Sequence, residues 1–183
     1  MSILELVMYP NPILSQVAEP VEEFSEDFPK LIADMAETMY EGKGVGLAAP
    51  QIGLSKRLFI VDVSAPDEPH NLKVFINPTI VQQDTPVIWN EGCLSLPGLY
   101  RDVKTFNHVI VDAFDIKGNP FRHEASDIEA VAILHENAHL DGKVFIDRLA
   151  PVKRSLVKKF WKKNAERLCK ETYKDSRIHV RWE

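Results

Sequence analysis

Ser126-Asp127-Ile128-Glu129-Ala130-Val131-Ala132-Ile133-Leu134-His135-Glu136-Asn137-Ala138-His139-Leu140-Asp141-Gly142 is the stretch on which the reading of the whole chain turns. Ser126 with Glu129 three residues later makes a capping box, and Asp127 suits the positive end of a helix dipole. Gly142 supplies a left-handed stop. Ile128, Val131, Ala132, Leu134 and Ala138 make the segment mostly apolar, so the pattern predicts a buried helix. On a helix, residues i and i+4 share a face, which lets His135 and His139 reach a single metal ion. Glu136 then lies beside that ion, where its carboxylate can take a proton from water and return it to a leaving group. Five residues with three fixed recur by chance in unrelated chains, so the pentapeptide needs support. It comes from a third potential ligand, Cys93, in Glu91-Gly92-Cys93-Leu94-Ser95-Leu96-Pro97.

Two imidazoles and one thiolate leave a divalent ion with an open coordination position, the arrangement of a catalytic site. Water in that position can have its pKa lowered toward ~7, and the same ion polarises a substrate carbonyl. The residues therefore point to a hydrolase. The alternative, hydrogen-bonded core histidines and a packing cysteine, accounts less well for the spacing and the intervening glutamate.

The flanking sequence reads as one α+β domain, residues 1–183, with antiparallel β-sheets around the motif-bearing helix. A first helix should follow Ser25, with Phe28, Leu31, Ile32, Met35, Ala36 and Met39 at helical spacing and Gly42 and Gly44 ending it. A loop spans Gly42 to Gly53. Arg57 to Val63, Val74 to Val81, Pro86 to Trp89 and Val109 to Phe114 read as strands, separated by turn formers such as Pro66-Asp67 and Lys117 to Pro120. A last helix should run from about Pro151 to Lys170, with Leu156, Val157, Phe160, Trp161, Ala165 and Leu168 on one stripe.

Composition narrows the class. At 45% hydrophobic and 27% charged residues the chain is of ordinary globular type, and no apolar run reaches the roughly 18 residues a membrane span needs. The amino-terminal residues lack the basic start and apolar core of a secretory signal, so the expected location is cytoplasmic. Two cysteines cannot make a disulfide framework; Cys169 falls on the apolar side of the last helix as a core residue. Residues 1–150 carry 11 basic and 23 acidic side chains, net −12, whereas residues 151–183 carry 11 and 4, net +7. A basic appendage follows an acidic body.

Gly44-Val45-Gly46-Leu47-Ala48-Ala49-Pro50-Gln51 begins like a dinucleotide-binding fingerprint. The fingerprint needs a strand before it and a helix after it, whereas here a helix precedes and Pro50 removes a donor from any continuing helix. The glycines instead suit a loop whose backbone approaches an extended peptide, and Gln51 offers an amide N–H to a developing oxyanion.

Taken together, Gly44 to Gln51, Glu91 to Pro97 and His135 to Gly142 resemble, in order, the three signature motifs of the peptide deformylase family. Further likeness lies in Tyr9 to Leu14, Asp115 to Pro120 and Ile146 to Leu149, so it covers nearly the whole chain. The resemblance implies removal of the formyl group from the initiator methionine of nascent polypeptides. It implies Fe2+ as the native metal, with Zn2+, Ni2+ or Co2+ able to replace it. Cys93, His135 and His139 would hold the metal, and Glu136 would shuttle the proton. The backbone N–H of Leu94 and the amide of Gln51 would hold the oxyanion. Gly46 would pair with the peptide backbone, and Val45, Leu94, Ile128, Val131 and Ala132 would surround the methionine side chain, although ordinary core packing explains these apolar residues equally well. Glu91 would orient the second-motif loop, or be a surface carboxylate.

The chain also departs from the family pattern. Leu134 and Ala138 replace a glutamine and an aspartate in the third motif, and Thr105 stands where the aspartate's arginine partner usually is. Losing both members of a buried ion pair can be nearly neutral, whereas losing one orphans a charge. Tyr100 replaces a basic residue, with Arg101 beside it. Lys153, Arg154, Lys158, Lys159, Lys162, Lys163, Arg167 and Lys170 give the last helix a basic face, which is either a solvated surface or, by the likeness, a contact with the ribosome. Two other readings stay open: a peptidase using the same helix motif, and a catalytically weak deformylase-like protein that binds a ribosome or peptide.

Overall fold

Periodicity places the elements, and a computed structural model describing residues 2–24, 27–65 and 67–183 gives their order. They are β1 (Leu6–Val7), α1 (Phe28–Glu41), β2 (Gly46–Ala48), β3 (Leu58–Val61), β4 (Lys73–Glu91), β5 (Arg101–Phe114), β6 (Pro120–Ser126), α2 (Asp127–Leu140), α3 (Pro151–Tyr173) and β7 (Val180–Arg181). Short 3-10 turns occupy Pro12–Ser15, Ala49–Ile52 and Phe145–Arg148. Strands β2-β3-β4-β5-β6 form one antiparallel sheet in that order, and α2 packs on β2, β3, β5 and β6. The α+β class and the central motif helix are as the sequence predicts. The second sheet is a two-stranded parallel pair, β1 with β7, because the carboxyl-terminal segment returns alongside the amino-terminal one.

Two apolar clusters make the core. Phe59, Val61, Phe75, Val109, Val111, Ala130, Ala132 and Ile133 join the sheet to α2. Met8, Met35, Met39, Leu47, Phe145, Val157, Trp161 and Cys169 join β1, α1 and α3 to the loops around the site. In α1 the predicted Ile32, Met35, Ala36 and Met39 are buried, and Gly42 caps the helix. Ser25, the predicted start, and Pro66, a predicted turn former, lie outside the described residues, as does Met1.

Several expectations need correction. The segments predicted as separate strands at Val74–Val81 and Pro86–Trp89 belong to the single long strand β4, because register shifts near Ile76–Thr79 and Ile80–Gln82 absorb its irregular residues while β5 pairs along its length. Strand β5 starts at Arg101, well before Val109, and β6 was not predicted because Pro120–Ser126 is rich in polar residues. The expected loop between Gly42 and Gly53 contains β2 and a 3-10 turn. Ser126 is the N-cap of α2, but its side chain makes no capping bond. Glu129 bonds Lys73 and His123 instead of completing a capping box, since charge-assisted partners are stronger. The stop holds, with Gly142 at φ 67°. Helix α3 extends to Tyr173, and its buried stripe is Val157, Trp161, Ala165, Cys169 and Tyr173, every fourth residue. Leu156 and Phe160 are exposed, because a helix touching the core along one edge buries a narrower strip than predicted.

Candidate metal centre

Helix α2 presents His135 and His139 from one face, with Glu136 between them, and all three are buried. The loop from β4 to β5 brings Cys93 to the same point, so that one donor atom from each of Cys93, His135 and His139 lies within 4.8 Å of the others. Cys93 Sγ is 3.3 Å from His139 Nε2. Bonds of roughly 2.3 Å to sulfur and 2.0–2.1 Å to imidazole nitrogen, at tetrahedral angles, require donors about 3.5 Å apart, so the set fits a metal ion.

Glu91, the last residue of β4, fixes one ring. Its Oε2 accepts from His135 Nδ1 at 2.8 Å and from the Arg148 guanidinium. A donated Nδ1–H leaves Nε2 with its lone pair free for a metal, as ligating histidines require. Burial opposes charge on Glu91, yet His135 and Arg148 together hold its pKa below the usual carboxylate value. Burial also opposes charge on His135, but hydrogen bonds with Cys93 and Glu91 and the carboxylate of Glu136 favour its protonated form. His139 goes the other way: burial and the nearby charges of His135 and Arg148 hold it neutral. Metal binding demands both rings neutral and the thiol deprotonated, so it competes with protons here.

Burial pushes the Glu136 carboxyl up to about 7. Its Oε2 has no protein partner among the described residues, while a Cβ added to Gly46 would lie 2.5 Å from Oε1. Glycine at 46 is therefore needed for β2 to pass this close. Gln51 is held by its Oε1, which accepts from the Ala48 backbone N–H at 2.9 Å. Its Nε2 then faces Cys93 Sγ at 3.4 Å and Ser95 Oγ at 3.3 Å. The amide both stitches its loop and turns its donor toward the cluster. A cleft of about 280 Å³ opens above these groups, and Val45, Gly46, Leu94, Ile128, Val131 and Ala132 line it together with Gln51, Cys93, His135 and Glu136. His139 stands behind, completely buried.

Residues 3–155 match the family described as polypeptide deformylase. The chain belongs to the polypeptide deformylase family. It is 47% identical over 163 residues to a peptide deformylase of Syntrophobacter fumaroxidans, spanning 89% of this chain and 96% of that one. Among solved structures it is similar to a peptide deformylase of Legionella pneumophila, with TM-score 0.83, 39% identity, and coverage of 90% of this chain and 96% of that one. It is also similar to the Ehrlichia chaffeensis peptide deformylase in complex with actinonin, with TM-score 0.82, 36% identity, and coverage of 89% and 98%.

Within this deformylase fold the predicted site residues come together from β2 and Val45 just before it, the following turn, the β4–β5 loop and α2. Glu91 is buried at 5% exposure, so the reading of it as a surface carboxylate is wrong. Thr105 is buried, and its hydroxyl has no hydrogen-bond partner among the described residues. Arg148 and Ser95 were missed as contributors. Both sit inside segments already singled out by their likeness to the family, but nothing local in the sequence ties Arg148 to Glu91, 57 residues away.

Proposed function

We infer that this chain is a metal-dependent hydrolase that removes the N-formyl group from the initiator methionine of nascent polypeptides, releasing formate. The observation that carries the reading is the convergence of Cys93, His135 and His139 beside the buried Glu136, whose Oε2 has no partner among the described residues, in a cleft bordered by a sheet edge. We treat residues 1–183 as one catalytic domain, supported by a core cluster that runs from Leu6 to Ile178.

Cys93, His135 and His139 would hold one divalent ion, for which we propose Fe2+, with Zn2+, Ni2+ or Co2+ able to replace it; one thiolate and two imidazoles suit all four. When bound, the ion supplies a Lewis acid with an open position, which acidifies water and polarises a carbonyl. Glu136 takes the proton from the attacking water as its oxygen bonds the formyl carbon. The Leu94 N–H and Gln51 Nε2 donate to the oxygen that becomes negative. Glu136 then delivers the proton to the amine nitrogen as the C–N bond breaks, leaving formate and a free amino terminus. Strand β2 is the outer strand of the sheet, so Gly46 can pair with an extended peptide by strand addition. Val45, Leu94, Ile128, Val131 and Ala132 offer the apolar wall for the methionine side chain.

The alternative of a catalytically weak binder is not favoured, because the changes at Leu134, Ala138 and Thr105 leave the three donors, Glu136 and Gln51 assembled. The peptidase reading loses ground to the same family membership. We also propose a cytoplasmic location, supported by two unpaired thiols, and ribosome contact through the basic face of α3. Among the described residues no helix is long and apolar enough to cross a membrane.

The test uses anaerobically purified protein with a formyl-Met peptide, its acetyl counterpart and a substrate for internal cleavage. Formate release from the first alone, lowered by about 10²- to 10⁴-fold in Glu136→Ala with metal content retained, is the expected result. Internal cleavage, or silence from fully metallated wild type, would contradict it.

A further inference from the structure

We propose that Tyr173, the last residue of α3, is a positioning residue for the oxyanion-binding loop, holding the Leu94–Ser95 peptide so that the adjoining Cys93–Leu94 peptide keeps the Leu94 N–H aimed into the cleft. The inference rests on the role given to Leu94 above. The Tyr173 hydroxyl donates to the Leu94 carbonyl oxygen at 2.8 Å, and the side chain is 8% exposed where it borders the cleft beside Thr172. Within the loop, the Cys93 carbonyl accepts from Leu96 N at 2.9 Å and the Leu96 carbonyl from Leu99 N at 3.2 Å. Of the two carbonyls between them, that of Leu94 is the one given to the phenol.

The same helix braces the loop at two further points. Trp161 Nε1 donates to the Tyr9 carbonyl at 2.8 Å, and Tyr9 N donates to the Ser95 carbonyl at 3.0 Å. Gly98 lies against Leu168 and Thr172. Leu94, Ser95 and Gly98 are thus all held from α3, directly or through one residue. Oxyanion donors work by being aimed before the charge develops, so a brace on the adjoining peptide bears on rate more than on ground-state binding. The family match ends at residue 155, and Tyr173 lies beyond it.

Tyr173→Phe removes the hydroxyl and keeps the ring. In metal-loaded protein it should lower kcat about fivefold, the effect of one lost hydrogen bond, with KM within about twofold and metal content unchanged. Hydrogen exchange measured over residues 93–98 should quicken. Unchanged kcat, or a slower reaction without faster exchange in that segment, would overturn the proposal, and so would a lower melting temperature with kcat and KM unmoved. If the wild type itself released no formate, the deformylase reading would fail. Faster exchange in the variant would then still support the brace, and unchanged exchange would remove it too.

Discussion

Arg148 shows how a single side chain acts on the centre without touching it. Its guanidinium meets Glu91, Glu91 meets His135 Nδ1, and that hydrogen bond decides which imidazole nitrogen faces the cluster. Outer partners of ligating histidines commonly matter about 10- to 100-fold in metal affinity. Arg148→Ala should therefore weaken metal retention about tenfold in a chelator competition, while Arg148→Lys restores part of it; equal retention in all three proteins would mean that Glu91 holds the ring alone. The pairing of His135 with His139 was legible in the sequence, because i,i+4 spacing on an apolar helical segment already places two imidazoles together. The orientation of Gln51 was only half legible: its donor could be named, but the Ala48 bond that turns it is a property of the 3-10 turn. Arg148 was not legible, since its partner is distant in sequence and the pairing follows from tertiary packing.

At the scale of elements, hydrophobic spacing identified α1, α2 and α3, and β-branched runs identified β3 and the cores of β4 and β5. The polar segments Gln82–Thr85 and Arg101–His108 did not read as strands, because their ladder is supplied by the β4–β5 pairing, with Gln82 and Gln83 opposite Ile110 and Val109 and with Arg101 to Phe106 opposite Glu91 to Pro86, and not by local preference. The connection after β3 is held by a different device. Asp62, 5% exposed, accepts from the Tyr40 hydroxyl at 2.6 Å, Ser64 N at 2.9 Å and Asn71 N at 3.1 Å. Burial would raise its pKa, but these hydrogen bonds prevail and hold it at about 2. A carboxyl held below its unfolded value adds stability that is complete above pH ~4 and is lost as pH falls toward 2. Denaturation with urea should show wild type ahead of Asp62→Asn by about 2 kcal/mol at pH 7, with the difference shrinking in acid as the wild type loses its advantage. A gap that stays constant from pH 7 to pH 3 would contradict the assignment.

Across the whole molecule, charge is divided between an acidic body and a basic end, net −12 over residues 1–150 and +7 over residues 151–183. The division was visible in the sequence, but its disposition was not. One edge of α3 is buried in the core through Val157, Trp161 and Ala165, while Val152, Leu156 and Phe160 face outward among lysines and arginines. If this outward face meets ribosomal RNA, binding should weaken steeply between 50 and 200 mM salt and weaken further on replacing Lys159, Lys162 and Lys163 by glutamate. Sedimentation with ribosomes that is indifferent to salt would remove the electrostatic account. Everything proposed for the reaction, however, depends on one sulfur and two imidazole nitrogens sharing a cation. X-ray absorption at the metal edge of anaerobically purified protein tests this most directly. The account predicts one sulfur, at roughly 2.3 Å if the ion is zinc, together with two imidazole shells, the sulfur being lost in Cys93→Ser; a coordination shell of oxygen and nitrogen alone in the wild type would contradict it.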